Sequence, residues 1–108
     1  MLFRSYKVDM IPGGVSDVVH VSSGDNGYTV QILLVKGSSD YSIPSGTYVR
    51  LEWSGGSYDC TYSGNSVQMP IMADMTAESG QKPVEIVLYQ GNQRIGTANL
   101  ILCVEVKA

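Results

Sequence analysis

Apolar and polar residues alternate with a period of two along most of the chain. In "YTVQILLV" the alternation sets Tyr28, Val30, Ile32 and Leu34 on one face. "TYVRLEW" turns Val49, Leu51 and Trp53 inward and Tyr48, Arg50 and Glu52 outward. "SVQMPI" offers Val67, Met69 and Ile71, and "PVEIVLY" offers Val84, Ile86 and Leu88 with Glu85 opposite. "ANLILCVEV" aligns Leu100, Leu102, Val104 and Val106 against Asn99 and Glu105. Side chains of a strand point to opposite faces in turn, so a repeated two-residue period predicts half-buried strands. "LFRSYKVDM" and "DVVHV" add two shorter ones near the start.

The breaks between these runs fall every eight to twelve residues or so, the spacing of an all-β fold with many short strands. Gly64-Asn65 and Gly91-Asn92 sit between strand-like runs, and such pairs tolerate the positive φ of a tight hairpin. "IPSG" and "SGGS" mark further reversals. Pro70 has no N–H to give a sheet, which argues for an edge strand there. "ADMTAESGQKP" interrupts the alternation with about one helical turn, capped by Asp74 and ended by Gly80. Met75 in that turn would plug an open end of the core. The expectation is an all-β, antiparallel two-sheet β-sandwich of about eight or nine strands, with one short helical turn near residues 73–79.

The 108 residues suit a single domain, and 44% apolar with 16% charged residues is a composition that folds. A net charge of −3, with seven basic residues scattered singly from Arg4 to Lys107, argues against nucleic acid, which demands clustered Lys and Arg. No run approaches the roughly 18 apolar residues of a membrane span, so membrane insertion is not expected. "MLFRSYKVDM" has an early Arg but no apolar run behind it and does not read as a signal peptide. Cys60 and Cys103 lie in separate apolar segments, and without a secretory signal they read as buried free thiols. A bridge between neighbouring strands is the geometric alternative.

Little of this inventory supports catalysis. His20 is the sole histidine, set between valines on an extended segment, where a structural or surface role is expected. One histidine and two cysteines distant in sequence do not form a zinc motif. "SGDNG" at 23–27 lacks the carboxylate spacing of a calcium loop. Asp9, Asp17, Asp25, Asp40, Asp59 and Asp74 fall mainly near turns, where carboxylates bond local backbone amides. A small hydrolase would need Asp or Glu clustered around a cleft, for instance Glu52 with Asp59, although the alternation puts no special constraint on that pair. The seven tyrosines are more suggestive: on strands they pack, cover protein interfaces or stack on sugar rings. The candidate interface residues are Tyr48, Tyr58, Tyr62 and His20. No cofactor motif is present and none is expected.

Four stretches together resemble the N-terminal module of the baseplate upper proteins of tailed phages and prophages of Gram-positive bacteria. They are "VDMIPGGVSDVVHVSSGDNGYTVQILLV", "YSIPSGTYVRLE", "MTAESGQKPVEIVLY" and "IGTANLILCVE", in family order across essentially the whole chain. Departures are the short "LEWSGGSYDC" hairpin, Ser16 where the family has a common Pro, and Cys103 where Asp is frequent. The resemblance implies a structural virion protein without enzymatic activity. Its role would be an adaptor that joins a baseplate, tail or fibre protein to other tail proteins for host adsorption, with trimeric or hexameric order in the virion. It also implies that the module ends near Ala108 and opens a longer protein. The runner-up reading is a carbohydrate-binding sandwich for host cell-wall polysaccharide.

Overall fold

A computed structural model describes residues 4–14 and 16–106. Nine strands and one helical turn follow in chain order: β1 (Ser5–Asp9), β2 (Val19–Ser22), β3 (Tyr28–Lys36), β4 (Ser39–Asp40), β5 (Tyr48–Trp53), β6 (Gly56–Ser63), β7 (Ser66–Ile71), α1 (Ala73–Thr76), β8 (Gly80–Gln90) and β9 (Gln93–Glu105). Leu2 and Phe3 of the expected first strand, and the module end at Ala108, lie outside the described residues. Among the described residues no helix is long and apolar enough to cross a membrane.

The strand number matches expectation, but the architecture does not. The strands form one sheet in the order β1-β3-β7-β6-β5-β8-β9-β2, with β4 on β3, and the sheet curls into a nearly closed barrel instead of a two-sheet sandwich. The reason lies in β6. Its first half, Gly56–Cys60, pairs with β5, and its second half, Thr61–Ser63, pairs with β7. One strand therefore joins what would otherwise be two separate sheets. Nor is the sheet wholly antiparallel: β1 runs parallel to β3 and β2 parallel to β9. Inward alternation is identical for a sandwich and a barrel, so the pattern alone does not separate them.

The core follows the alternation closely. Val30, Ile32, Leu34, Val49, Leu51, Val67, Met69, Ile86 and Leu88 are fully buried, joined by Ala98, Leu100, Leu102 and Val104. Val106 departs from its expected core position: β9 ends at Glu105 and Val106 is 78% exposed beyond it. The two ends of the barrel are stoppered by single side chains, Met75 from α1 and Ile43 from the β4–β5 connection. Each stopper is tethered. The Thr76 hydroxyl donates to the Asp25 carbonyl (2.5 Å), and Ile43 N donates to the Gly64 carbonyl (3.0 Å). Asp74 does not cap α1; Met72 occupies that position in an extended conformation without a side-chain cap.

The turns obey the expected chemistry. Gly64 (φ 60°) and Gly91 (φ 59°) each open a two-residue hairpin, a backbone setting that disfavours a side chain. Pro70 lies not at an edge but inside β7, paired with Thr29. It is tolerated because β6 pairs with β7 only as far as Gln68, so the side facing β6 needs no N–H there. Pro83 follows the same rule: it pairs with Ile101 of β9, while β5 pairs with β8 only from Val84 onward.

The seam between the sheet's two ends is zipped by the turn that links β1 to β2. Asp17 N donates to the Lys7 carbonyl (2.8 Å), and its carboxylate accepts from Lys7 N (2.8 Å). The Ser16 hydroxyl accepts from Asp9 N (3.0 Å). Asp9 in turn accepts from Ile11 N and Gly37 N, which pins the turn to the β3–β4 tip. Gly14 packs so closely on the Asp9 side chain that a Cβ there would sit 2.5 Å from its carboxylate.

Met75→Ala, which empties a plug that is 1% exposed, is expected to cost about 2–4 kcal/mol in urea unfolding. Ser16→Ala strands the Asp9 amide and is expected to cost about 1 kcal/mol by the same measurement. A Ser16→Ala variant as stable as the parent would show that the seam does not depend on this bond.

Candidate functional site

The four residues singled out as interface candidates do not converge on one surface. Tyr48 lies on the outer face of β5 beside Tyr89 of β8, its register partner. The two rings stack at 5.0 Å with an interplanar angle of 16°. Arg94 places its guanidinium 5.9 Å from the Tyr89 ring centre and 3.7 Å from the Glu52 carboxylate, to which the Tyr89 hydroxyl also donates (3.1 Å). A β-bulge between Leu88 and Tyr89 brings Arg94 opposite Tyr89. The result is a cross-strand cluster of Tyr48, Tyr89, Arg94 and Glu52, with Tyr48 42% exposed. Tyr89 thus has Tyr48 against its ring and Arg94 close to it, so it offers a sugar no open platform.

Tyr58 occupies a different place. It pairs with Leu51 but sits where β6 and β7 part, 48% exposed beside Pro70. The depression there holds about 540 Å³ and is also lined by Thr29, Ile71 and Met72. Tyr62 leans on the core, half-buried. His20 stands on the outer face of β2, 55% exposed at its side chain and separated from the β5–β8 tyrosine cluster by β9 in strand order.

Around His20 the fold brings together what the sequence keeps apart. His20 is the register partner of Cys103 on β9, and Glu105 lies two residues further along the same face. His20 Nδ1 and Glu105 Oε1 are 3.2 Å apart, and one imidazole nitrogen, Cys103 Sγ and one carboxylate oxygen all lie within 4.8 Å of one another. Parallel pairing of β2 with β9 creates this cluster, and no local spacing in the sequence could have signalled it.

Several other titratable groups have structural work. Asp25 accepts from Ser22 N (3.0 Å) and the Tyr28 hydroxyl (2.7 Å), which closes the β2–β3 turn as a local carboxylate–amide cap. Burial, then the Asp25 carboxylate, push the Tyr28 phenol up to about 12. Glu52 and Asp59 do not form a pair: Glu52 engages Tyr89 and Arg94, whereas Asp59 engages Arg50 (3.4 Å). Both cysteines are free, as the sequence suggested. Burial pushes the Cys60 thiol up to about 11.

Only the thiolate is alkylated, and the raised value keeps Cys60 protonated through neutral pH. The expected result is slow iodoacetamide modification of Cys60 at pH 7, accelerating about tenfold per pH unit until close to pH 11. The shift carries a stability consequence of defined sign. The unfolded thiol ionises near 9 and the folded one near 11, so the Cys60 contribution is intact below pH 9 and is lost as pH rises towards 11. Mass-spectrometric alkylation rates and alkaline unfolding curves of Cys60→Ser against the parent check both statements.

No family model and no curated protein matches this sequence. Among solved structures, the chain is similar to the N-terminal domain of ORF48 of phage TP901-1, at 9% identity, with all of both chains covered and a TM-score of 0.73. At that identity the likeness establishes a shared fold, that of a phage protein's N-terminal domain.

Proposed function

We propose that this barrel is a structural adaptor module of a phage virion. In this reading it attaches a tail, baseplate or fibre protein to its neighbours in the phage tail and has no catalytic role. The observation that carries the reading is the end-to-end likeness in fold to the N-terminal domain of a phage protein. The four motif stretches that resemble baseplate upper proteins support it from the sequence side. The chemistry is compatible with it: Asp9, Asp17 and Asp25 bond backbone amides at turns, and Asp59 and Glu52 pair with Arg50 and Arg94. The domain would open a longer chain whose distal part reaches the host surface. Its partners would be other tail proteins in trimeric or hexameric order, assembled in the bacterial cytoplasm.

Docking is assigned first to the two exposed tyrosine sites, Tyr48 and Tyr58, with Tyr62 and His20 as flanking contacts. Aromatic side chains that are rigid and half-exposed supply contact area at low entropic cost and dominate many interfaces. The test is retention of purified tail proteins from the phage or prophage that encodes this chain on the immobilised module. Specific retention is expected, and Tyr48→Ser or Tyr58→Ser is expected to weaken it by roughly tenfold or more, the scale of a hot-spot truncation. Retention of no tail protein, together with glycan-array binding lost in the tyrosine variants, would replace the adaptor with a carbohydrate-binding role.

A further inference from the structure

We propose that the outer face of β2 and β9 is a binding site for a divalent ion of the zinc class, with His20, Cys103 and Glu105 as ligands. The inference stands apart from the adaptor reading and needs none of it. Three structural features support it. The donor atoms are of three types, imidazole nitrogen, thiol sulfur and carboxylate oxygen, and all lie within 4.8 Å of one another. A tetrahedral ion with bonds of about 2.0–2.3 Å holds its ligand atoms about 3.3–3.8 Å apart. His20 Nδ1 and Glu105 Oε1 are already 3.2 Å apart, so closure on an ion asks for side-chain adjustments and no backbone movement.

The second observation is the mounting. His20 and Cys103 are register partners in a hydrogen-bonded pair of strands, and Glu105 follows on the same face of β9. Their backbones are held by the sheet, while Val19, Val21, Leu102 and Val104 anchor the opposite face in the core. A site on paired strands is better pre-organised than one on loops. The third is composition. The chain has one histidine and two cysteines in 108 residues, and the fold sets the histidine directly against one of them. Without an ion, this face holds a solvent-exposed His20–Glu105 contact of the weakly stabilising kind, with the free Cys103 thiol beside it.

The donor set also selects the ion. Thiolate with imidazole suits Zn²⁺ and Co²⁺, whereas Ca²⁺ and Mg²⁺ prefer all-oxygen shells. On binding, Cys103 loses its proton to solvent and the ion takes the sulfur lone pair, so no oxidant or reductant is involved. With His20 and Glu105 more than half exposed, a fourth position opens to water or to a donor from outside the chain.

The experiment is titration of the reduced, intact chain with Co²⁺, followed by the thiolate-to-cobalt charge-transfer absorption and its displacement by Zn²⁺. A band is expected in the parent and in Cys60→Ser, and no band in Cys103→Ser. His20→Ala and Glu105→Gln are each expected to weaken binding by at least about tenfold, a loss that even outer-shell changes cause at metal sites. Zn²⁺, but not Ca²⁺ or Mg²⁺, is expected to slow alkylation of Cys103 while leaving Cys60 as an internal control. All of these positions are surface or half-buried, and circular dichroism of each variant verifies that the barrel is intact. Absence of a band at millimolar Co²⁺ would overturn the site. So would a band that survives both His20→Ala and Glu105→Gln, because the thiol alone would then be collecting the ion.

Discussion

The seam between β1 and β2 is the constraint on which this barrel depends. A curled sheet leaves two terminal strands, each with a row of unpaired N–H and C=O groups that would recruit other chains or lose stability. Here the two terminal strands do not pair directly along their lengths. The turn between them folds back so that Ser16 and Asp17 bond Lys7 and Asp9 of β1, and the chain then continues into β2 alongside β9. A connection thus acts as the last rung of the sheet. Asp9 extends the closure by gripping Ile11 and Gly37, and Gly14 is small enough to let the turn lie against it. Ser16 gains meaning from this: a proline at that position, common in the resembling family, has no hydroxyl to accept from Asp9 N.

Closure into a barrel also decides how surface chemistry is distributed. A sandwich presents two broad outer faces, so outward tyrosines on neighbouring strands could form one aromatic patch. A barrel spreads its outward residues around a circumference. Tyr48 and Tyr89 meet because β5 and β8 are adjacent, with Arg94 and Glu52 completing the cluster. Tyr58 is displaced to the opening where β6 leaves β7, and His20 stands near the far edge beside Cys103. The two tyrosine sites and the His20–Cys103–Glu105 cluster therefore lie at three separate places on the surface.

The core was legible because each buried residue announces itself by alternation with its immediate neighbours. Val30 to Leu34, Val49 to Leu51 and Leu100 to Val104 all lie as the pattern requires, and the Gly64 and Gly91 turns could be placed from backbone freedom alone. Met75 was legible as a plug because an apolar residue in a single helical turn has one sheltered direction. Val106 was misplaced because alternation does not state where a strand ends. Pro70 was misplaced for a related reason: the rule that proline avoids central strands concerns the missing N–H, and β6 stops short of it. The tyrosine cluster was half legible, since Tyr48 is outward by alternation while its contact with Tyr89, and with Arg94 across a bulge, depends on strand adjacency.

By itself, then, the chain determined its strands, its tight turns and the inward set of side chains, since these depend on interactions among residues close in sequence, whereas the separation of Cys60 on β6 from Cys103 on β9 that leaves both thiols free is set by strand placement. Tertiary structure alone decided the barrel, the parallel pairing at both sheet ends, the seam through Ser16 and Asp17, and the meeting of His20 with Cys103 and Glu105. Those features arise from strand order and register between segments as much as 85 residues apart, as His20 and Glu105 are. A period-two pattern states which way a side chain points and carries no information on which strand lies beside it.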